Sequence, residues 1–131
     1  MENLDAVTRV LVRTRCFPTE ARDRVRTALA NLFPDLRISR DDDVIEGETG
    51  SLERLKELIR NQRIRDTTRK QLLAARRGTL LRVSLSKQAA AVGRVNFSGG
   101  SPLGDIDVEI ESDDLDGVID DLAERTVATK R

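Results

Sequence analysis

Between residues 106 and 111 the chain alternates strictly: Ile106, Val108 and Ile110 are apolar, and Asp107, Glu109 and Glu111 are acidic. A period of two fits a β-strand with one face buried and the other in water. Leu81, Val83 and Leu85 alternate with Arg82, Ser84 and Ser86 in the same way. Across residues 7–16, Arg9, Leu11, Arg13 and Arg15 share one face, and Val10, Val12, Thr14 and Cys16 share the other. Half-buried strands of this kind build antiparallel sheets with one covered face. The cover must come from amphipathic helices.

The sequence supplies those helices. Pro18-Thr19 opens one, Ala21, Val25, Ala28, Leu29, Leu32 and Phe33 recur at helical spacing within it, and Pro34 ends it. Residues 36–39 and 44–48 read as a short antiparallel pair around a turn at 40–43. Ser51 is placed to cap a helix that buries Leu52, Leu55, Leu58 and Ile59 and breaks at Asn61-Gln62. A second helix over 64–75 buries Ile64, Thr68, Leu72 and Ala75, with Gly78 as its stop. Val95 and Phe97 read as a strand, followed by a turn at 98–102. Ser112 is placed to cap a last helix that buries Leu115, Val118, Ile119 and Leu122. The order β-α-β-β-α-α-β-β-β-α predicts an α+β two-layer domain, a mostly antiparallel sheet covered by helices. The length of 131 residues fits one domain; it is expected over 1–126, with 127–131 a frayed tail.

Charge is zero overall but strongly segregated. Nine Arg or Lys residues fall between 54 and 77 against two acids, whereas 105–124 holds ten acids and no base. Such a split points to one face for a polyanion and another that is solvated or self-pairing. Arg outnumbers Lys nineteen to four, which suits bidentate phosphate contacts and equally suits a GC-rich genome. With no histidine, the commonest general base and zinc ligand are missing. The lone Cys16 excludes an internal disulfide and reads as a buried thiol. Phe17, Phe33 and Phe97 are the sole aromatics, too few for a base-stacking platform. No leader or membrane-spanning run is evident, so a cytoplasmic protein without cofactor or metal is expected.

Six segments carry a more specific signal: residues 58–66, 69–73, 87–93 (Lys87-Gln88-Ala89-Ala90-Ala91-Val92-Gly93), Val95-Asn96-Phe97, Ser101-Pro102-Leu103-Gly104 and residues 122–126. In this order and spacing they resemble an archaeal family of uncharacterised proteins, over roughly the last two thirds of the chain. The family pattern usually has Pro where this chain has Glu124. The resemblance implies a fold like large-subunit ribosomal protein five. It also implies RNA binding, with a link to ribosomal or exosome-like RNA-processing assemblies.

Two regions are candidate RNA contacts. In the basic helices, Arg60, Arg63, Arg65, Arg69 and Lys70 are placed to hold phosphates; the competing reading is a solvated face with local pairs such as Asp66 with Lys70. In the second region Lys87 could hold a phosphate and Gln88 a base edge, beside small residues that allow close approach, with Arg94 in support. The competing reading there is a tight connection that needs small residues for packing. For the stripe Arg9, Arg13 and Arg15, cross-strand pairing with Asp107, Glu109 and Glu111 is preferred if those strands are neighbours. The acids at 41–43 and 113–116 lack calcium-loop spacing.

The expected function is therefore non-catalytic binding of structured RNA, which is recognised through shape, phosphates and ribose hydroxyls. The main alternative is a protein-interaction module or homodimer that joins opposite-charge surfaces. An enzyme acting on a phosphorylated small molecule near Lys87 ranks third.

Overall fold

In the computed structural model, which describes residues 8–97 and 104–124, the first basic stripe lies on β1 (Thr8–Arg15) and the acidic alternation on β6 (Asp105–Ser112). The other strands are β2 (Arg37–Asp41), β3 (Val44–Thr49), β4 (Arg76–Arg77) and β5 (Leu80–Ser86). Among the described residues the six strands form one sheet in the order β2-β3-β1-β6-β5-β4, antiparallel throughout. The helices are α1 (Arg22–Leu32), α2 (Glu53–Asn61), α3 (Arg65–Ala75), α4 (Lys87–Ala91) and α5 (Leu115–Leu122).

The expected α+β two-layer architecture holds, because period two fixes which side of the long central strands is apolar. Val10 and Val12 of β1, Ile45 of β3, Leu81 and Leu85 of β5, and Ile106, Val108 and Ile110 of β6 are buried. They pack with Leu29, Leu32 and Phe33 from α1 and its end, Ile59 of α2, Leu72 of α3, and Leu115, Ile119 and Leu122 of α5. Each such side chain, fully buried, contributes about 1.5–3 kcal/mol. Cys16 is buried and free. Gly47 is required where β2 crosses β3: a Cβ there would sit 2.7 Å from the Arg37 carbonyl oxygen.

Several boundaries differ from the sequence reading. The segment 87–91 is a one-turn helix, α4, because the Ser86 side chain accepts from the Ala89 N–H at its start. Val95 and Phe97 build no ladder of their own, and Phe97 makes a single bridge to Leu85. The third strand of the consecutive run is instead the two-residue β4, paired with Leu80 and Leu81. Gly78, at φ +66°, turns the chain between β4 and β5 rather than ending a helix. Asp114, not Ser112, caps α5, its side chain accepting from the Gly117 N–H at 3.0 Å. The turn at 98–102, the segment 101–103 and the tail 127–131 lie outside the described residues.

One buried polar atom carries a prediction. Thr68 on α3 is 0% exposed, and its hydroxyl has no hydrogen-bond partner among the described residues. An unsatisfied buried hydroxyl costs roughly 1–3 kcal/mol. The near-isosteric Thr68→Val is expected to raise the unfolding free energy by about 1 kcal/mol. Urea denaturation of the two proteins measures it, and a drop in stability would refute it.

Candidate nucleic-acid interface

The basic residues singled out in the sequence separate into three groups in space. Arg65 and Arg69 of α3 face α5. Arg65 reaches the Glu124 carboxylate at 3.1 Å, and Arg69 reaches Asp120 at 2.8 Å and donates to the Ala123 carbonyl at 3.2 Å. Lys56 of α2 pairs with Asp121 at 2.8 Å, and Arg76 pairs with Asp116. The hydrogen bond from Lys56 to Asp121 holds its ammonium pKa above the usual lysine range. The acidic helix α5 and Glu124 just beyond it thus neutralise four bases of α2, α3 and β4. Only 18% of the Arg69 side chain remains exposed.

Lys87 forms a group by itself. Its side chain is 7% exposed and that of Glu20 11%, with Nζ 3.0 Å from Oε1 of Glu20. The same ammonium donates to the Arg15 carbonyl at 2.8 Å and lies 5.5 Å from the Phe17 ring centroid. It therefore clamps the start of α4 to the end of β1. The small residues after it serve close helix packing, with Ala90 buried and Asn31 of α1 donating to its carbonyl.

Arg60, Arg63, Lys70, Gln88 and Arg94 are exposed, and among the described residues the four basic ones form no ion pair. A contact that sequence reasoning read merely as a helix break brings Arg63 and Arg94 together. The Gln62 side chain donates to the Val95 carbonyl at 3.0 Å and accepts from its N–H at 2.7 Å. Arg63 follows Gln62 and Arg94 precedes Val95, so this double hydrogen bond brings the backbones of two exposed arginines close together. Arg60 stands one turn back, at the C-terminal end of α2, where the helix dipole favours a cation. The exposed amides of Asn61 and Asn96 border the same clasp. No local pattern signals it, since its partners lie 33 residues apart.

Arg63 also adopts φ 59°, unusual for a side chain with a Cβ. The left-handed conformation costs a non-glycine residue roughly 1–2 kcal/mol. Arg63→Gly is expected to leave stability unchanged or raise it by up to about 1 kcal/mol, because the relief is partly offset by glycine's larger loss of chain entropy. Thermal unfolding reads the sign; a clear loss of stability would refute the strain. The left-handed residue closes the end of α2: the Arg63 N–H donates to the Arg60 carbonyl at 3.1 Å and the Ile64 N–H to the Ile59 carbonyl at 3.2 Å.

Most remaining charged features are accounted for within the fold. β1 and β6 are neighbours, and the preferred cross-strand pairing holds for Arg9, which reaches Glu48 at 3.0 Å and Glu111 at 3.9 Å; Arg13 stands opposite Asp107 without closing an ion pair among the described residues, and Arg15 stands opposite Val44. Asp41 pairs with Arg22 and Arg26 of α1. The Asp42 carboxyl accepts from the Val44 N–H, which holds it below the usual carboxylate range. Among the described residues no three His, Cys, Asp or Glu residues are grouped to hold a metal, and no helix is long and apolar enough to cross a membrane.

Comparison with known proteins adds an independent line. A family model described as RNA binding matches residues 9–112, a span that contains the whole clasp. A UPF0201 protein of Methanothermobacter thermautotrophicus is 44% identical over 109 residues, covering 80% of this chain and 83% of that protein. A UPF0200/UPF0201 protein of Archaeoglobus fulgidus is 42% identical over 87 residues; the match takes in 66% of this chain and 27% of that longer protein. The crystal structure of an uncharacterized UPF0201 protein superposes with a TM-score of 0.84 at 35% identity, over 90% of this chain and 94% of the other.

Proposed function

The chain belongs to the RNA-binding family that its residues 9–112 match, together with the archaeal UPF0201 proteins, and from that premise we propose that it binds structured RNA, without catalysis, on the surface around the Gln62–Val95 clasp. Arg60, Arg63 and Arg94 contact phosphates there, Asn61 and Asn96 offer hydrogen bonds to ribose or base edges, and Lys70 and Gln88 extend the surface. Arg65 and Arg69 lie at its margin, engaged by α5, and Lys87 acts through the fold. The observation that carries this reading is the Gln62–Val95 clasp, which ties the chain at Arg63 to the chain at Arg94, with Arg60 one turn back and none of the three in an ion pair among the described residues. Basic residues on a fixed support suit a folded RNA, which is recognised through its shape and backbone. The scarcity of aromatics points the same way.

The test is a titration of nuclease-treated protein with a labelled RNA hairpin. Three phosphate contacts predict a loss of affinity of roughly 20- to 50-fold between about 50 and 200 mM salt. Arg60→Glu/Arg63→Glu/Arg94→Glu is expected to weaken binding by roughly 100-fold or more at the lower salt. Absence of binding at low salt, or a triple variant that binds as tightly as the parent, overturns the proposal.

A further inference from the structure

The face of the sheet opposite the helices has no cover among the described residues, and its charges are sorted by strand. Arg37 and Arg40 lie on β2, Glu46 and Glu48 on β3, Arg9 and Arg13 on β1, Asp107, Glu109 and Glu111 on β6, and Arg82 on β5. From β2 to β5 the strands therefore read basic, acidic, basic, acidic, basic. Several of these charges pair in the plane of the sheet: Arg9 with Glu48 at 3.0 Å and with Glu111 at 3.9 Å, and Arg82 with Glu109 at 2.6 Å. The hydrogen bond from Arg9 holds the Glu48 carboxyl below its usual range. Arg13, at the centre, has Glu46 on one side and Asp107 on the other in register, yet among the described residues neither Arg13 nor Glu46 closes an ion pair. Leu11 lies half-buried beside them, between Glu48 and Glu109.

We propose that this face is a self-complementary docking surface for a second copy of the chain, packed sheet to sheet about a two-fold axis that runs along the strands between β1 and β6. The charge order selects the direction of that axis, and the gap between β1 and β6, central in the six-stranded sheet, gives the largest overlap. A two-fold across the strands would set every strand against itself, like charge on like. A two-fold along the strands between β1 and β6 sets β1 against the partner's β6 and β3 against the partner's β5, opposite signs in both cases. In register, Arg9 then faces the partner's Glu111, Arg13 the partner's Asp107, and Glu48 the partner's Arg82. Because each strand carries one sign on this face, the match survives small slides along the axis. At the margins β2 and β4 are both basic, and the right-handed twist carries the corners of two packed sheets apart.

Six strands about 4.8 Å apart, the longest with eight residues at about 3.3 Å each, present roughly 500–600 Å² per copy. That reaches the low end of specific interfaces, where association is weak and reversible. The surface is separate from the Gln62–Val95 clasp, so the proposal does not depend on RNA binding.

Sedimentation velocity on the nuclease-treated full chain tests it, from micromolar to near-millimolar protein. A dimer is expected at about 20 mM salt and a monomer at about 500 mM, as the screening length falls from roughly 20 Å to under 5 Å. Arg13→Glu is expected to be monomeric in both, and Arg13→Glu/Asp107→Arg to recover the low-salt dimer. Arg82→Glu, fully on the surface, gives the same readout should the Arg13 variant fail to fold. Arg63→Glu serves as a control and leaves the dimer intact. A monomer at every concentration overturns the proposal. So does a dimer that ignores salt, or one that survives both Arg13→Glu and Arg82→Glu.

Discussion

Replacing Lys87 with methionine is expected to lower the unfolding free energy by about 3–5 kcal/mol while leaving RNA affinity of the folded protein within about twofold of the parent. Lys87 and Glu20 are both nearly buried, and the ammonium donates to both Glu20 carboxylate oxygens and to the Arg15 carbonyl. Methionine keeps the length and packing of the side chain but leaves the Glu20 carboxylate desolvated with its cation gone. That penalty, rather than the net worth of the pair, sets the magnitude. Glu20 also accepts from the Phe17 N–H at 3.0 Å, so a disturbed carboxylate loosens the link from β1 into α1 as well. Phe17 further loses one of the two cations over its ring, while Arg15 at 4.9 Å remains. Urea denaturation of Lys87→Met against Lys87→Met/Glu20→Gln is the decisive comparison. The double variant is expected to recover much of the loss. A single variant within about 1 kcal/mol of the parent would refute the structural role. A large drop in RNA affinity at full folding would return Lys87 to the binding surface.

The second large effect concerns α5. Neutralising it with Asp116→Asn/Asp120→Asn/Asp121→Asn/Glu124→Gln is expected to tighten RNA binding by at least about tenfold at low salt and to steepen its salt dependence. The four carboxylates hold Lys56, Arg65, Arg69 and Arg76. Released, those bases raise the reachable cations from three to seven. The slope of log affinity against log salt then moves from about −2 to −3 toward about −5 to −6. Stability changes little by comparison, because the four carboxylates are 62–77% exposed and pairs to such groups contribute about 0–1 kcal/mol each. α5 itself stays docked through Leu115, Ile119 and Leu122, which are buried, and Asp114 still caps it. An unchanged slope would show that these four bases face away from the bound RNA.

The architecture was readable because its determinants are local. The alternation at 106–111 fixes a strand and its buried side whatever lies beside it, and the stripe at Val25, Ala28, Leu29 and Leu32 does the same for α1. The break at Asn61-Gln62 was equally visible. The short elements were less so: β4 exists through its pairing with β5, and α4 through one side-chain cap, neither of which has a periodicity to detect.

Charge shows the boundary between the two kinds of information most plainly. Sequence by itself determined that bases concentrate at 54–77 and acids at 105–124, and that β1 has one basic face. Only the tertiary structure decided which charges meet. It placed α5 against α3 so that Arg65 and Arg69 are neutralised, turned Lys87 inward onto Glu20, and joined Gln62 to Val95. These contacts link residues 33 to 67 positions apart. An ion's free energy depends on its neighbours and its solvent exposure, and both are set by topology rather than by the adjacent residues.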